Sequence, residues 1–273
     1  MLKDITIGQF FPGDSPIHRL DPRTKIVLTT IYVVMLFAAR NPLSLLVGVV
    51  FLVVVYPLSR LPMSLVLRSL RPIVPIVLLT AVLNMFFIDG EVKLVEWHFI
   101  SISQRGVMMA VLMAVRIICL IAGTSLLTYT TSPITLTDGI ERLFSPLKKI
   151  KVPVHEVAMM MTIALRFIPT LVEETDKIMS AQKARGADME SGGVMQRIRA
   201  LVPILIPLFV SAFRRADDLA LAMECRCYHG GEGRTRMRQM KLGAVDVWGS
   251  LLMALCFGGI IAANILGAGM VQL

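Results

Sequence analysis

The chain has 273 residues, 55% of them hydrophobic and only 17% charged, with a mean hydropathy of +0.72. Soluble domains carry about 25% charged residues, so this composition excludes an ordinary soluble domain and points to a multi-span membrane protein. The net charge of +9 gathers in particular segments without interleaved aromatics, which fits the cytoplasmic loops of such a protein and speaks against nucleic acid as a partner.

Met1 to Thr6 lacks the apolar core of a signal peptide. Gly8 to Lys25 is polar and rich in turn formers, with Pro12-Gly13 as a turn signal. Asp21 before Pro22 fits an N-cap followed by proline at the first helical position, so a helix is expected to start near Pro22. Ile26–Ala39 and Leu43–Tyr56 are apolar runs separated by Arg40-Asn41-Pro42. Both are short against the roughly 20 residues of a perpendicular span, and two spans are expected. Arg60, Arg68 and Arg71 mark a basic, proline-punctuated loop. Ile73–Ile88 is a third span. Asp89-Gly90-Glu91 to Gln104 reads as a mixed loop, with Trp97 at the interface. Gly106–Thr128 is the clearest span, and Val245–Val271 the last. Gly258, Gly259, Gly267 and Gly269 in that last run would allow close helix packing.

Basic residues at the N-terminus, around Arg60–Arg71 and after Thr131 place those segments in the cytoplasm by the positive-inside rule. The fold expected is an all-α polytopic membrane protein with about five transmembrane helices and long cytoplasmic amphipathic coupling helices. Its parts are an N-terminal segment with four spans (1–132), the coupling helices (133–243) and a C-terminal span (244–273).

The middle part carries the pattern of most interest. Thr135–Ile150 reads as a short amphipathic helix with Lys148 and Lys149 at its end, where cations suit the dipole. Pro153 opens the next helix, which Gly186 stops. Gly192-Gly193 turns the chain into a pattern running from Val194 to Tyr228 and stopping at Gly230-Gly231. Pro169, Pro203 and Pro207 should kink or split these helices. The apolar stretch Pro203–Val210 is expected to touch lipid or the membrane body, while the end beyond Arg214 is wet.

Each long helix closes on an arginine between small residues: Ala184-Arg185-Gly186 and Cys225-Arg226-Cys227. Aligning the arginines also aligns Asp176 with Asp217 and Ala181 with Ala222, a weak internal repeat. Two readings of these tips stand side by side. Each arginine complements the C-terminal end of its own helix, worth about 0.3–1 kcal/mol. Alternatively, its small neighbours let a partner approach so that the guanidinium forks onto a carboxylate.

Other features are weaker. The four cysteines form no disulfide framework and suit a reducing cytoplasmic face. Cys225-x-Cys227-x-His229 lacks a nearby fourth ligand for structural zinc, and the thiols read as small packing residues. Methionines such as Met159-Met160-Met161, Met179, Met189 and Met223 suit an adaptable interface or serve as filler. Arg116 is the one charge deep in an apolar run, with a packing or inter-subunit role preferred over substrate binding. Asn84 and Asn264 are candidates for interhelical hydrogen bonds. No Gly-x-x-x-x-Gly-Lys-Ser/Thr motif is present, and no nucleophile–base or metal constellation marks an intramembrane enzyme.

Phe11-Pro12-Gly13-Asp14-Ser15 and His18-Arg19-Leu20-Asp21-Pro22-Arg23-Thr24-Lys25, together with Ala184-Arg185-Gly186 and the Glu224–Thr235 stretch, resemble the T component of energy-coupling factor (ECF) transporters, the EcfT/CbiQ-like family. The resemblance covers nearly the whole chain. It departs at Cys225 and Cys227, where the family pattern leads one to expect Ala and Gly; a cysteine at 227 would resist a left-handed backbone.

The resemblance implies a non-catalytic membrane scaffold without a cofactor of its own. Arg185 and Arg226 would dock in two cytoplasmic ATP-binding-cassette ATPases, which bind the ATP. Their motion would pass to a membrane-embedded S component that carries a vitamin or metal ion. The rival reading is a self-sufficient secondary transporter or channel.

Overall fold

The computed structural model describes residues 10–88, 93–97, 100–186, 193–230 and 240–267. Its elements, in chain order, are α1 (Pro22–Ala38), α2 (Pro42–Ser59), α3 (Met63–Leu70), α4 (Val74–Phe87), strands β1 (Lys93–Trp97) and β2 (Ile100–Ser103), α5 (Gln104–Thr130), α6 (Pro133–Phe144), α7 (Val154–Ala184), α8 (Val194–Glu224) and α9 (Ala244–Gly267). Two compact units emerge: residues 8–139 with 240–273, and residues 140–239 with 1–7.

The first unit is a helical membrane body. α1 buries one face in it, with Tyr32, Met35 and Leu36 almost wholly buried. Small residues make room for it. A side chain at Gly123 of α5 would collide with the Tyr32 ring, and one at Gly48 of α2 would meet Leu36 Cδ2 at 2.7 Å. The Tyr32 ring stacks on Phe51 at 5.4 Å between centroids. α4 packs on α5, and α2 on α9.

Five helical segments are long and apolar enough to cross a membrane, and the set differs from the one expected. They are Pro42–Ser59, Met63–Phe87, Gln104–Thr130, Val154–Ala184 and Ala244–Gly267. α1, with 17 residues, is one residue shorter than α2 and lies within the roughly 17–25 residues that can span a bilayer. One face packs into the body, while Val34 and Phe37 on the other are exposed, the arrangement of a helix that turns one side to lipid. α7 enters because its first half is apolar, although its second half is charged.

The basic segment at Arg60–Arg71 is largely helical. α3 follows a left-handed Arg60 (φ 53°) and joins α4 through a 3₁₀ turn at Arg71–Ile73, so the third span starts ten residues before Ile73. The segment read as a mixed loop holds an antiparallel hairpin pairing Lys93 with Ser103 and Trp97 with Ile100. Its β-branched Val95, Ile100 and Ile102 favour that pairing over coil. Residues 89–91, 189, 192, 231–235 and 269–271, together with the side chain of Trp97, lie outside what is described.

The N-terminal signature folds into a latch on this body. Asp21 caps α1, its carboxylate accepting from Arg23 N at 2.9 Å and from the Arg23 guanidinium at 3.1 and 2.9 Å. Asp246, at the start of α9, accepts from Asp21 N at 2.8 Å and from Gly243 N at 2.7 Å. One carboxylate thereby fastens the N-termini of two helices.

Lys25 Nζ donates to the carbonyls of His18 and Thr130 and to Thr131 Oγ1, at 3.2, 2.8 and 3.2 Å. All three of its donors are used, and its charge sits at the C-terminal end of α5 where the dipole favours it. His18 Nε2 meets the Phe11 carbonyl at 3.0 Å and its Nδ1 meets Ser15 Oγ at 2.7 Å. Since a carbonyl can only accept, Nε2 carries the proton and Ser15 donates to Nδ1. Arg19 forks onto Asp14 with two bonds of 2.8 Å, and that hydrogen bonding holds the Asp14 carboxyl below its ordinary range.

The glycines of α9 divide. Gly259 lies 3.4 Å (as an added Cβ) from Val47, and Gly267 sits against the side chain of Asn41. Gly258 has nothing within 4 Å, so it makes no packing contact among the described residues.

The second unit is built on α7 and α8, each of 31 residues. Both run unbroken through their prolines, Pro169 in α7 and Pro203 and Pro207 in α8, so the expected splitting does not occur. The end of α6 is tied to the start of α7 by His155 Nδ1 and Glu141 Oε1 at 3.0 Å.

Candidate functional site

The ends of α7 and α8 bring the two arginines into matching local geometry. At the first tip, Arg185 N bonds back to the Ala181 and Gln182 carbonyls and Gly186 N to that of Lys183 at 3.0 Å; Gly186 is left-handed, φ 83°. At the second, Cys227 N bonds to the Glu224 carbonyl at 2.8 Å and Tyr228 N to that of Met223 at 3.0 Å, with Cys227 at φ 55°. This is a Schellman cap, a left-handed residue ending the helix while two amides turn back onto orphan carbonyls. Both arginines therefore occupy the same position, directly before the left-handed residue.

The structure resolves two questions about these tips. The cysteine at 227 does adopt the left-handed backbone that the sequence pattern puts in question. The helix also ends at Glu224, with the turn complete by Cys227, earlier than Tyr228. Ala184, Arg185, Gly186, Cys225, Arg226 and Cys227 are all exposed. Among the described residues, neither guanidinium makes a hydrogen bond or an ion pair.

Two contacts set the spacing of the tips. Arg215 Nη2 donates to Glu174 Oε2 at 2.6 Å, and Gln182 Nε2 donates to the Pro203 carbonyl at 3.4 Å. Moving towards the end of α7 moves towards the start of α8, so the helices cross antiparallel and the tips leave the crossing in opposite directions. Eleven residues separate Glu174 from Arg185, and eleven separate Arg215 from Arg226. At 1.5 Å per residue the helix from the pair to each arginine is about 16 Å long. The sequence repeat foretold equivalent tips. It did not single out Glu174, Arg215 or Tyr228, whose roles depend on how the helices cross and how the cap closes.

The remaining candidates are structural. Arg116 Nη2 donates to the Ala39 carbonyl at 2.6 Å, capping the end of α1, and Nη1 lies 3.6 Å from Met113 Sδ. Asn84 donates to the Thr80 carbonyl at 2.8 Å within its own helix. Asn264 does bridge helices, donating to the Ala38 carbonyl at 2.9 Å and accepting from Arg40 N at 3.2 Å. His229 Nδ1 donates to the Cys227 carbonyl at 2.9 Å, and no group of three metal-type ligands converges among the described residues.

A polytopic helical body and an antiparallel pair of arginine-ended helices define the chain as a multi-helix membrane protein. Residues 13–237 match the family model described as CbiQ, cobalt transport protein. The energy-coupling factor transporter transmembrane protein EcfT of Acidaminococcus fermentans is 55% identical over 257 residues, covering 94% of this chain and 96% of its own length. The protein of that name from Clostridium kluyveri is 56% identical over 252 residues (92% and 93%), and that from Bacillus subtilis 48% over 240 residues (88% and 91%). The chain belongs to the CbiQ family and, within it, to the EcfT transmembrane components of energy-coupling factor transporters.

Proposed function

We propose that this chain is the non-catalytic coupling scaffold of an ECF-type importer. In this reading Arg185 and Arg226 each enter a carboxylate-bearing cleft on one of two cytoplasmic ATP-binding-cassette ATPases. The observation that carries it is the pair of exposed guanidinium groups at matched cap positions, without partners among the described residues, at opposite ends of the antiparallel α7–α8 pair. A guanidinium presents parallel donors to a carboxylate and forms strong bidentate bonds, and the small residues beside it allow close approach.

ATP binding and hydrolysis by those partners would change the separation of their clefts. The tips would follow, and α7 and α8 would pivot at the Glu174–Arg215 pair. The membrane-embedded S component would take up that motion and release a vitamin or metal ion inwards. α8 offers a surface for it. Ile198, Val202, Ile206, Phe209 and Phe213 recur at helical spacing and are 44–68% exposed, an apolar stripe of the kind that marks an interaction site. The N-terminus and α6–α8 then face the cytoplasm, and the ATP sites lie on the partners.

Reconstitution tests this assignment. Liposomes holding this chain alone should show no solute uptake under an ion gradient, while liposomes that also hold its two ATPases and an S component should take up the S-component substrate only with ATP. Gradient-driven uptake by the chain alone would replace the scaffold with a self-sufficient transporter.

A further inference from the structure

The second tip differs chemically from the first. Arg185 is flanked by Ala184 and Gly186, which react with nothing. Arg226 is flanked by Cys225 and Cys227, both free and exposed, whereas Cys119 and Cys256 are free and buried. The two exposed thiols stand one residue either side of the guanidinium, on the turn that a docking partner would cover. Cys227 also occupies the left-handed position of the cap. Sulfur here gives the fold no advantage over glycine, because a side chain in that region costs energy that glycine avoids.

We propose that Cys225 and Cys227 form a thiol-modification site that switches docking at the second tip alone; this rests on the reading of Arg226 as a docking residue. The chemistry is thiol–disulfide exchange with a small-molecule disulfide. A cysteine thiolate attacks one sulfur of RSSR and the S–S bond breaks. A Cys–S–S–R bond forms, and the departing thiolate takes up the proton that the cysteine released. The protein thiol is oxidised and one R–S group is reduced.

The adduct places a bulky group against Arg226 at the point where close approach is needed. The effect is reciprocal by linkage: a partner seated on the tip hinders modification as much as modification hinders the partner. In a reducing compartment the tip stays free. A rise in the disulfide pool would disable one prong and leave the Arg185 prong intact.

The test uses the full chain with its two ATPases. Chain freed of partners is treated with oxidised glutathione, checked by intact mass, and then offered the ATPases. Modification at Cys225 or Cys227 should cut ATPase recovery at least tenfold in an Arg185→Glu background, where only the second tip holds. Reductant should restore recovery. A Cys225→Ala/Cys227→Gly variant in the same background, which keeps both buried cysteines, should show the same ATPase recovery before and after the treatment. In the assembled complex, alkylation of the two thiols by N-ethylmaleimide should slow at least tenfold.

Full recovery by glutathionylated chain would overturn the proposal, as would unhindered alkylation in the complex. Arg226→Glu separates the two ideas. If it releases the ATPases while glutathionylated chain keeps them, only the thiol switch fails. If it keeps them, the docking role itself fails.

Discussion

Glu174 and Arg215 form an ion pair at 2.6 Å between equivalent positions of the two long helices, each eleven residues ahead of the arginine that ends its helix. A contact between equivalent positions is what a local two-fold relation between α7 and α8 requires. The pair has equal lengths of helix between it and each arginine.

That pair is partly exposed, so its worth is near the upper end for surface bridges, about 1 kcal/mol. Glu174→Arg alone and Arg215→Glu alone should each lower the thermal stability of the purified chain and reduce ATPase recovery. The double swap should regain most of both. A double-mutant cycle on thermal midpoints, read as a coupling energy, checks this; zero coupling would remove the pivot.

Cys227 holds a left-handed backbone at φ 55°. Cys227→Gly should relieve that cost and slow exchange of the Tyr228 amide, which bonds to the Met223 carbonyl. Cys227→Val should loosen the cap by about 1–2 kcal/mol, the penalty of the left-handed region, and speed the same exchange. Site-resolved hydrogen exchange measures both.

What the sequence made legible was chiefly local. The Asp21-Pro22 helix start, the Pro153 start and the Gly186 stop each follow from one or two residues acting on their own backbone. The arginine tips were visible because two copies of one pattern lie in a single chain. Long-range partners were not. Nothing near Asp246 announces that it will bond to Asp21, 225 residues away. Nothing in the short first apolar run tells which of its faces, that of Tyr32, Met35 and Leu36, will pack inward. A left-handed cysteine has no sequence signal, because cysteine carries no preference for that region.

Asp246 is buried and accepts two backbone amides. Asp246→Ala would leave both donors unsatisfied at a cost of about 1–3 kcal/mol each. Asp246→Asn keeps one acceptor oxygen and should lose roughly half as much. Thermal unfolding in detergent should rank wild type above Asn above Ala. Equal midpoints for all three would mean the latch holds nothing.

Two glycines should respond oppositely to the same change. Gly123→Ala drives a methyl group into Tyr32, with Tyr32 Cδ1 at 2.7 Å from the added carbon, and overpacking of this kind costs about 1–3 kcal/mol. Gly258→Ala meets nothing within 4 Å and gains helix propensity, up to about 1 kcal/mol. Thermal midpoints of the two variants should fall on opposite sides of the wild-type value.

The central claim is that the guanidinium groups of Arg185 and Arg226 hold the ATPases. Its most direct measurement is the amount of each ATPase recovered with the chain from detergent extracts of wild type, Arg185→Glu, Arg226→Glu and the double reversal. The account predicts partial recovery with either single reversal, through the tip left intact, and no recovery with both. Full recovery with the double reversal would contradict it.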